Sequence, residues 1–395
     1  MSATPLTLAE LQELDARWVM QTYPRAPVQF VRGEGARLWD SDGKEYLDFL
    51  AGISVCSVGH CHPAVVEAVR EQVGTLTHTS NLYLTENGVR LAQRLCESSL
   101  GGRAFLCNSG TEANECAIKL VRKHAHGRGI AAPEIVVLEG AFHGRTMASL
   151  SATPGLATNE SFSPYLPGFR TVPRDDPAAL RAAVGESTAA VMLEPVQGET
   201  GVHVISDEML AAAREACDTA GAVLVFDEIQ TGMGRTGSLW AYEQLPVRPD
   251  VLTTAKALGG GLPVGACVAT PEAGEVLERG DHGSTFAGGP LIAAAALAAF
   301  DVINDRELLR RVRDLGTRFR GGLDEIDAVG EVRGRGLMIA ARLDGVEAKD
   351  AAARALAEGL IVNPIGEDTL RFLPPLIIGE PEVDQALEIL RRTLD

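Results

Sequence analysis

Two habits alternate among the apolar residues of the chain. Short unbroken runs, rich in β-branched residues, recur at "RAFLCN" (103–108), "EIVVLEG" (134–140), "AAVMLEPV" (189–196), "AVLVFDE" (222–228), "DVLTTA" (250–255) and "VGACVAT" (264–270). Each has the length and composition of a strand buried on both faces. Elsewhere the spacing changes to a three-and-four repeat. "PAVVEAVREQVGTL" (63–76), "ENGVRLAQRLCESS" (86–99), Thr111 to about His126, and "DEMLAAAREACDTAG" (207–221) therefore predict helices. Strands separated by helices predict an α/β protein with a mostly parallel sheet covered on both faces.

The two ends read differently. "ARLWDSDGKEYLDFLAGI" (36–53) alternates on either side of Asp42-Gly43, which predicts a hairpin. The last hundred residues predict a charged helix near 304–327, strands in "EVRGRGLMIAARL" (331–343) and "TLRFLPPLI" (369–377), and a closing helix from Pro381. The expected organisation is a large α/β domain over residues 55–300 beside a smaller α+β domain built from residues 1–54 and 301–395.

Composition narrows the functional classes. At 395 residues the chain exceeds what one core usually holds, and 46% hydrophobic with 23% charged residues is globular. A formal net charge of −17 argues against nucleic acid and anionic membrane surfaces as partners. It leaves room for a small anionic substrate held by a few local arginines. The seven cysteines form no C-x-x-C pair and read as reduced core thiols. The N-terminus has acids and a helical alternation instead of a basic region and an apolar block, so a cytoplasmic location is expected. "LIAAAALAAF" (291–300) is too short to span a bilayer and suits a buried helix.

Open α/β sheets bind ligands beyond the carboxyl ends of their strands. Asp227 leaves the run Ala222–Phe226 at that edge and would favour a protonated nitrogen opposite it. Lys256 of "LTTAKALGGGLPVG" stands just beyond the next run, ahead of Gly259, Gly260 and Gly261. Desolvated among small residues that let a ring approach, its amine becomes nucleophilic enough to condense with an aldehyde. Such a lysine, with an aspartate for a pyridinium nitrogen, is what a pyridoxal phosphate enzyme needs. The phosphate needs an anion cup. "CNSGTEANECAIKLVRKH" (107–124) offers a turn at Ser109-Gly110-Thr111 that opens a helix, although Ser109 and Glu112 also have the spacing of a plain capping box. "GAFHGRT" (140–146) adds Phe142, able to stack on a flat ring, and Arg145, able to hold a carboxylate at two points. A buried aromatic and a solvated arginine are the plainer reading of that pair.

These stretches, in order with "GHCHPAVVEAV", "SNLY", "EPVQGETGV", "LVFDEIQTGMGRTG", "HGSTFAGGPL" and "LRFLPPL", resemble the class III (ω-amino acid) aminotransferases over nearly the whole chain. The resemblance implies the aspartate aminotransferase-like fold (fold type I), pyridoxal 5'-phosphate as coenzyme, and a homodimer with shared active sites. By motif, Lys256 looks like the lysine that bonds to the coenzyme and Asp227 like the partner of its ring nitrogen. Gln230 resembles the residue near the ring hydroxyl and Phe142 the stacking ring. Gly110 and Thr111 match the phosphate cup, Thr285 the residue that reaches the other subunit's coenzyme phosphate, and Ser284 a residue near the substrate. Arg145 matches the arginine for the carboxylate of an acetylated donor, and Arg371 the one for the α-carboxylate of glutamate. Glu199 matches the acid that pairs with Arg371 when no carboxylate is there. The implied substrates are N2-acetyl-L-ornithine and 2-oxoglutarate, with N-succinyl-diaminopimelate, ornithine or 4-aminobutyrate as alternative donors. Ile53 stands where the ornithine branch tends to carry tyrosine, and Gly289 where many relatives carry asparagine.

Three other readings compete. "GMGRTG" (232–237) fits the G-x-G-x-x-G dinucleotide fingerprint, but Asp227–Thr231 separate it from the strand that should lead directly into it. His60, Cys61 and His62 of "GHCHP" are too close together for a tetrahedral metal site, so a packed turn and no metal are expected. A coenzyme-binding regulator without catalysis would keep the lysine but could lose the substrate arginines, and both are present.

Overall fold

The computed structural model describes residues 6–156 and 158–394. Residues 1–5 of the N-terminal stretch, residue 157 and residue 395 lie outside the described residues. The six buried runs and one further strand, Phe169–Val172, pair into one seven-stranded sheet. Its order is Arg103–Cys107, Gly265–Ala269, Val251–Thr254, Val223–Asp227, Thr188–Leu193, Glu134–Leu138 and Phe169–Val172. Gly265–Ala269 is antiparallel to both neighbours, and the other pairings are parallel. The α/β class and the mostly parallel sheet are as expected.

Strand periodicity decides which helix each residue meets. Ile135, Val137, Val223 and Val225 face one side and pack with Cys116, Leu120 and Val121, which lie on one stripe of the helix Gly110–Gly127. Val136, Leu138, Leu224 and Phe226 face the other side, against Leu210, Ala213 and Cys217 of the helix Asp207–Ala220. Successive strand residues point to opposite faces, so one run supplies both layers. Gly221 closes the second helix at φ 63°, a left-handed cap that suits glycine.

Three elements differ from expectation, each for a local reason. Phe169–Val172 is a strand with two exposed residues at the sheet edge, and an edge strand needs no apolar run. "AAVMLEPV" stops at Leu193, and a separate short strand, Val196–Gln197, follows Pro195, which has no N–H to give a ladder. "TLRFLPPLI" ends at Phe372 because Pro374 and Pro375 follow.

The two ends of the chain meet in one sheet. Arg37–Asp40 and Glu45–Asp48 form the hairpin around Gly43, and Leu360–Ile361 adds parallel to its second strand. A second four-stranded sheet contains Val329–Arg335, Met338–Leu343, Thr369–Phe372 and Asn363–Ile365.

Directly after the hairpin, four consecutive residues adopt positive φ: Ala51, Gly52, Ile53 and Ser54. For the three with side chains this costs roughly 1–2 kcal/mol each. The turn is held by Asp48, whose Oδ1 accepts from the Leu50 and Ala51 N–H groups at 2.9 and 2.8 Å. Asp48 Oδ2 lies 2.7 Å from His60 Nε2. That hydrogen bond, reinforced by Cys56, pushes the imidazole up to about 10, so His60 is cationic at neutral pH. The remainder of "GHCHP" is a packed turn: His60 and Gly35 exchange backbone hydrogen bonds, and His62 caps the helix Pro63–Thr75.

Because the folded-state value of His60 lies above its ordinary 6.5, its stabilisation is complete below about 6.5 and is lost as pH rises through about 10. His60→Gln is expected to cost about 1.5–3 kcal/mol at pH 6, with the gap to wild type closing toward pH 10. Urea unfolding across that pH range reads this directly, and a gap independent of pH would remove the ion pair from the account.

Candidate active site

Val223–Asp227 and Val251–Thr254 end side by side with Asp227 in register with Thr253. Lys256 therefore emerges at the same edge as Asp227. A cavity of about 500 Å³ opens there, and it is lined by Gly110, Thr111, Phe142, Arg145, Glu199, Asp227, Gln230 and Lys256. These residues come from five segments that the sequence keeps far apart.

Asp227 is 3% exposed and fully engaged. Its Oδ2 accepts from Asn114 Nδ2 at 2.7 Å and lies 2.8 Å from His143 Nδ1, and its Oδ1 accepts from the Ile229 N–H at 3.1 Å. Asn114 also donates to the His143 carbonyl at 2.7 Å and accepts from Thr253 Oγ1 at 2.7 Å. The carboxylate is thereby tied to the helix below the sheet, to the loop above it and to the next strand. Neither Asn114 nor His143 was anticipated from sequence. The available signal was a single polar residue on the helix stripe of Ala113, Ala117, Leu120 and Val121, all buried.

Glu228 answers a separate need. It is wholly buried and accepts from the Ala241 and Tyr242 N–H groups at 2.6 and 2.9 Å. Burial pushes its carboxyl up to about 8.

Lys256 sits at φ 43° at the head of a short 3-10 turn, a left-handed conformation that a non-glycine residue adopts at a cost of about 1–2 kcal/mol. Desolvation lowers its pKa, and the Arg371 charge adds to this against the opposing carboxylates. The amine is thus biased toward its neutral, nucleophilic form.

The Ser109 motif forms a helix cap. Ser109 Oγ accepts from the Glu112 N–H at 3.3 Å, capping the helix Gly110–Gly127. The Glu112 carboxylate reaches back to Asn108 N–H and Nδ2 at 2.7 and 2.8 Å. The first turn of the same helix lines the cavity.

Arg371 is 1% exposed and lies behind the cavity wall. It donates to Glu199 Oε1 at 2.7 Å, to the Gly198 carbonyl at 3.0 Å and to Asn363 Oδ1 at 2.7 Å. Gln230 donates to the same Glu199 oxygen at 3.0 Å. Burial works against ionisation of Glu199, but the Arg371 and Lys256 charges outweigh it and hold the carboxyl at about 2. Glu194, also in the cavity wall, was not anticipated. It accepts from the Phe142 N–H at 3.0 Å, and burial followed by the Asp227 charge raises its carboxyl well above the usual range. Arg145 is exposed, with its guanidinium 5.6 Å from the Phe142 ring centre.

Ser284 and Thr285 do not line this cavity. Ser284 lines a neighbouring hollow of about 480 Å³ with Tyr83 and Leu84, linked to the main one by Asn108 Nδ2 donating to Ser284 Oγ at 2.8 Å. Thr285 is exposed. A Cβ on Gly289 would stand 3.4 Å from the Phe286 carbonyl, so sterics do not demand glycine there.

A desolvated lysine beside a buried aspartate, at the carboxyl edge of a largely parallel sheet, defines an enzyme of fold type I. The family described as Aminotransferase class-III matches residues 19–394. The chain belongs to that family and is a transaminase. It is 45% identical over 381 residues to an acetylornithine aminotransferase of Caldanaerobacter subterraneus subsp. tengcongensis, covering 95% of this chain and 97% of that protein. Among solved structures it resembles the ornithine aminotransferase of Toxoplasma gondii, with TM-score 0.93, 35% identity and coverage of 99% and 95% of the two chains. The N-acetylornithine aminotransferase of Stenotrophomonas maltophilia matches with TM-score 0.83 and 40% identity over 96% and 97%.

Asn114→Ala strips Asp227, Thr253 and the His143 carbonyl of one partner each. The expected cost is about 2 kcal/mol or more in stability, with at least a tenfold fall in kcat as the carboxylate loses its orientation. Unfolding midpoints and steady-state rates measure both, and wild-type values in each would make the network dispensable.

Proposed function

We propose that the chain transfers the terminal amino group of N2-acetyl-L-ornithine to 2-oxoglutarate, giving N-acetyl-L-glutamate 5-semialdehyde and L-glutamate. The observation that carries this reading is a pair of arginines at different depths: Arg145 exposed at the mouth, and Arg371 buried and masked by Glu199. A donor with a distant carboxylate suits the outer arginine. A short dicarboxylate that displaces Glu199 suits the inner one.

The lining fits pyridoxal phosphate. Gly110 opens the helix in close contact with Ile229, where a Cβ would stand 2.7 Å from Ile229 Cδ1, and the free N–H groups of a helix N-terminus favour a phosphate. Phe142 offers a flat face, Gln230 a side-chain amide and Asp227 a fixed negative charge. Bound there, the coenzyme supplies an aldehyde for the donor amine and a cationic ring that accepts electrons from the neighbouring carbon. Asp227 would be the group that keeps a proton on the ring nitrogen. Lys256 Nζ, biased toward its neutral form by desolvation, would be the base that takes the proton from the amine-bearing carbon. Glu199 neutralises Arg371 while a donor without a carboxylate at that depth is bound, which avoids an unpaired buried cation.

Acetylornithine is favoured over free ornithine by Ile53, which packs with Val196, Val202, Met338 and Leu373. No hydroxyl stands at that position to meet a free α-amino group.

A homodimer with shared sites is part of the same reading. Leu82, Tyr83 and Leu84 are 85%, 71% and 92% exposed, and Phe286 is 66% exposed. Asn81 ties the two segments together by donating to the Ser284 and Ala287 carbonyls at 3.1 and 3.0 Å. An apolar patch of this kind marks an interaction surface, and a second copy on it would bring Thr285 toward that copy's coenzyme.

Lys256→Ala is expected to abolish both half-reactions; retained turnover would refute its assignment. Arg145→Ala is expected to raise KM for acetylornithine about tenfold or more while coenzyme retention stays near wild type. In a panel of amine donors with 2-oxoglutarate, acetylornithine is expected to give the highest kcat/KM. Sedimentation equilibrium is expected to return twice the chain mass, and Leu84→Glu to shift it toward the monomer with loss of activity.

A further inference from the structure

The "GMGRTG" stretch, set aside as a dinucleotide fingerprint, carries a cation that the proposed reaction does not use. Arg235 is 0% exposed, and no carboxylate is among its hydrogen-bond partners. Its Nε donates to Ser54 Oγ at 2.9 Å, one terminal nitrogen to the Leu337 and Pro374 carbonyls at 2.9 and 2.7 Å, and the other to Ser57 Oγ at 2.9 Å. Burying a guanidinium against neutral acceptors is costly, and the cost is tolerable only because its N–H fork is almost fully used. Desolvation lowers its pKa to about 9, which leaves it charged at neutral pH.

The acceptors lie in three segments, one adjoining the cavity lining and two adjoining Arg371. Pro374 is three residues beyond Arg371. Leu337 immediately precedes the strand Met338–Leu343, whose Ala340 is paired with Arg371. Ser54 and Ser57 flank Val55, which lines the cavity. Arg235 itself follows Gln230 by five residues, and Gln230 and Arg371 both bond to Glu199. The backbone adds to the clamp: the Arg235 carbonyl accepts from the Leu337 N–H at 3.1 Å, and a Cβ on Gly336 would lie 2.7 Å from that carbonyl oxygen. One guanidinium thus joins the loop that carries Gln230 to the two strands that carry and support Arg371.

We propose that Arg235 is a positioning residue that sets where Arg371 stands relative to the cavity, and thereby governs recognition of the oxo-acid acceptor. This rests on the reading of Arg371 as the inner carboxylate site. Lysine cannot replace the fork, since its single ammonium cannot span acceptors on opposite sides. Donor recognition through Arg145, on the 140–146 loop, lies outside the clamp.

The test uses the coenzyme-loaded enzyme and compares Arg235→Lys, the double variant Ser54→Ala/Ser57→Ala, and Arg371→Lys. KM for 2-oxoglutarate, KM for acetylornithine, kcat and Tm are measured for each. Arg235→Lys is expected to raise the acceptor KM about tenfold and the donor KM by less than about twofold, because a misplacement near 1 Å can cost up to about 100-fold. The double-serine variant keeps the arginine and is expected to shift the acceptor KM about threefold in the same direction; it carries the test if Arg235→Lys does not fold. If Arg371→Lys raises the acceptor KM but the Arg235 and serine variants leave it unchanged, or raise both KM values in proportion to lost Tm, the positioning role is overturned. If Arg371→Lys itself leaves the acceptor KM unchanged, the assignment of Arg371 is what fails, and the inference built on it falls with it.

Discussion

A negative charge held at the end of a buried strand is the constraint around which this molecule is arranged. Asp227 is out of contact with bulk water, so its oxygens must be satisfied by groups that cannot drift. Asn114, His143 and the Ile229 N–H do this, from a helix, a loop and the turn after the strand itself. The requirement places a polar residue on the apolar stripe of the helix Gly110–Gly127, and it draws the 140–146 loop down over the sheet. Moving any of the three would leave the carboxylate uncompensated and the cavity without a floor.

The remaining charges are distributed so that they do not cancel that one. Glu194 shares the cavity wall with Asp227, and burial together with that neighbouring charge favours its protonated form. Glu199 stays ionised because Arg371 and Lys256 face it. Two carboxyl groups in one cavity are therefore pushed in opposite directions by their surroundings. Backbone strain is concentrated at the same rim: Lys256 and residues 51–54 all have positive φ, and the rigid packing around them, including Asp48–His60 and the Arg235 fork, holds them there.

Much of this was legible in the sequence because two simple rules apply to it. Unbroken apolar runs of strand length identified six of the seven strands of the central sheet, and the residues leaving them, Asp227 and Lys256, are those that meet in the cavity. Phe169–Val172 was missed since an edge strand carries little apolar signal. Asn114, His143 and Glu194 were missed for a different reason. A polar residue inside a helix, a loop or a strand end looks ordinary until its partner is known, and those partners lie 113, 84 and 52 positions away.

Periodicity and turn chemistry are local, so the order of strands and helices, the hairpin at Asp42-Gly43 and the helix cap at Ser109 could be read from neighbouring residues. The ordered motifs were also enough to recognise a transaminase. Only the folded chain decided that Asn114 fixes Asp227 and that Arg235 joins three distant segments. Those outcomes depend on which side chains share a low-dielectric space, and side chains separated by a hundred residues or more acquire that shared environment only when the layers close.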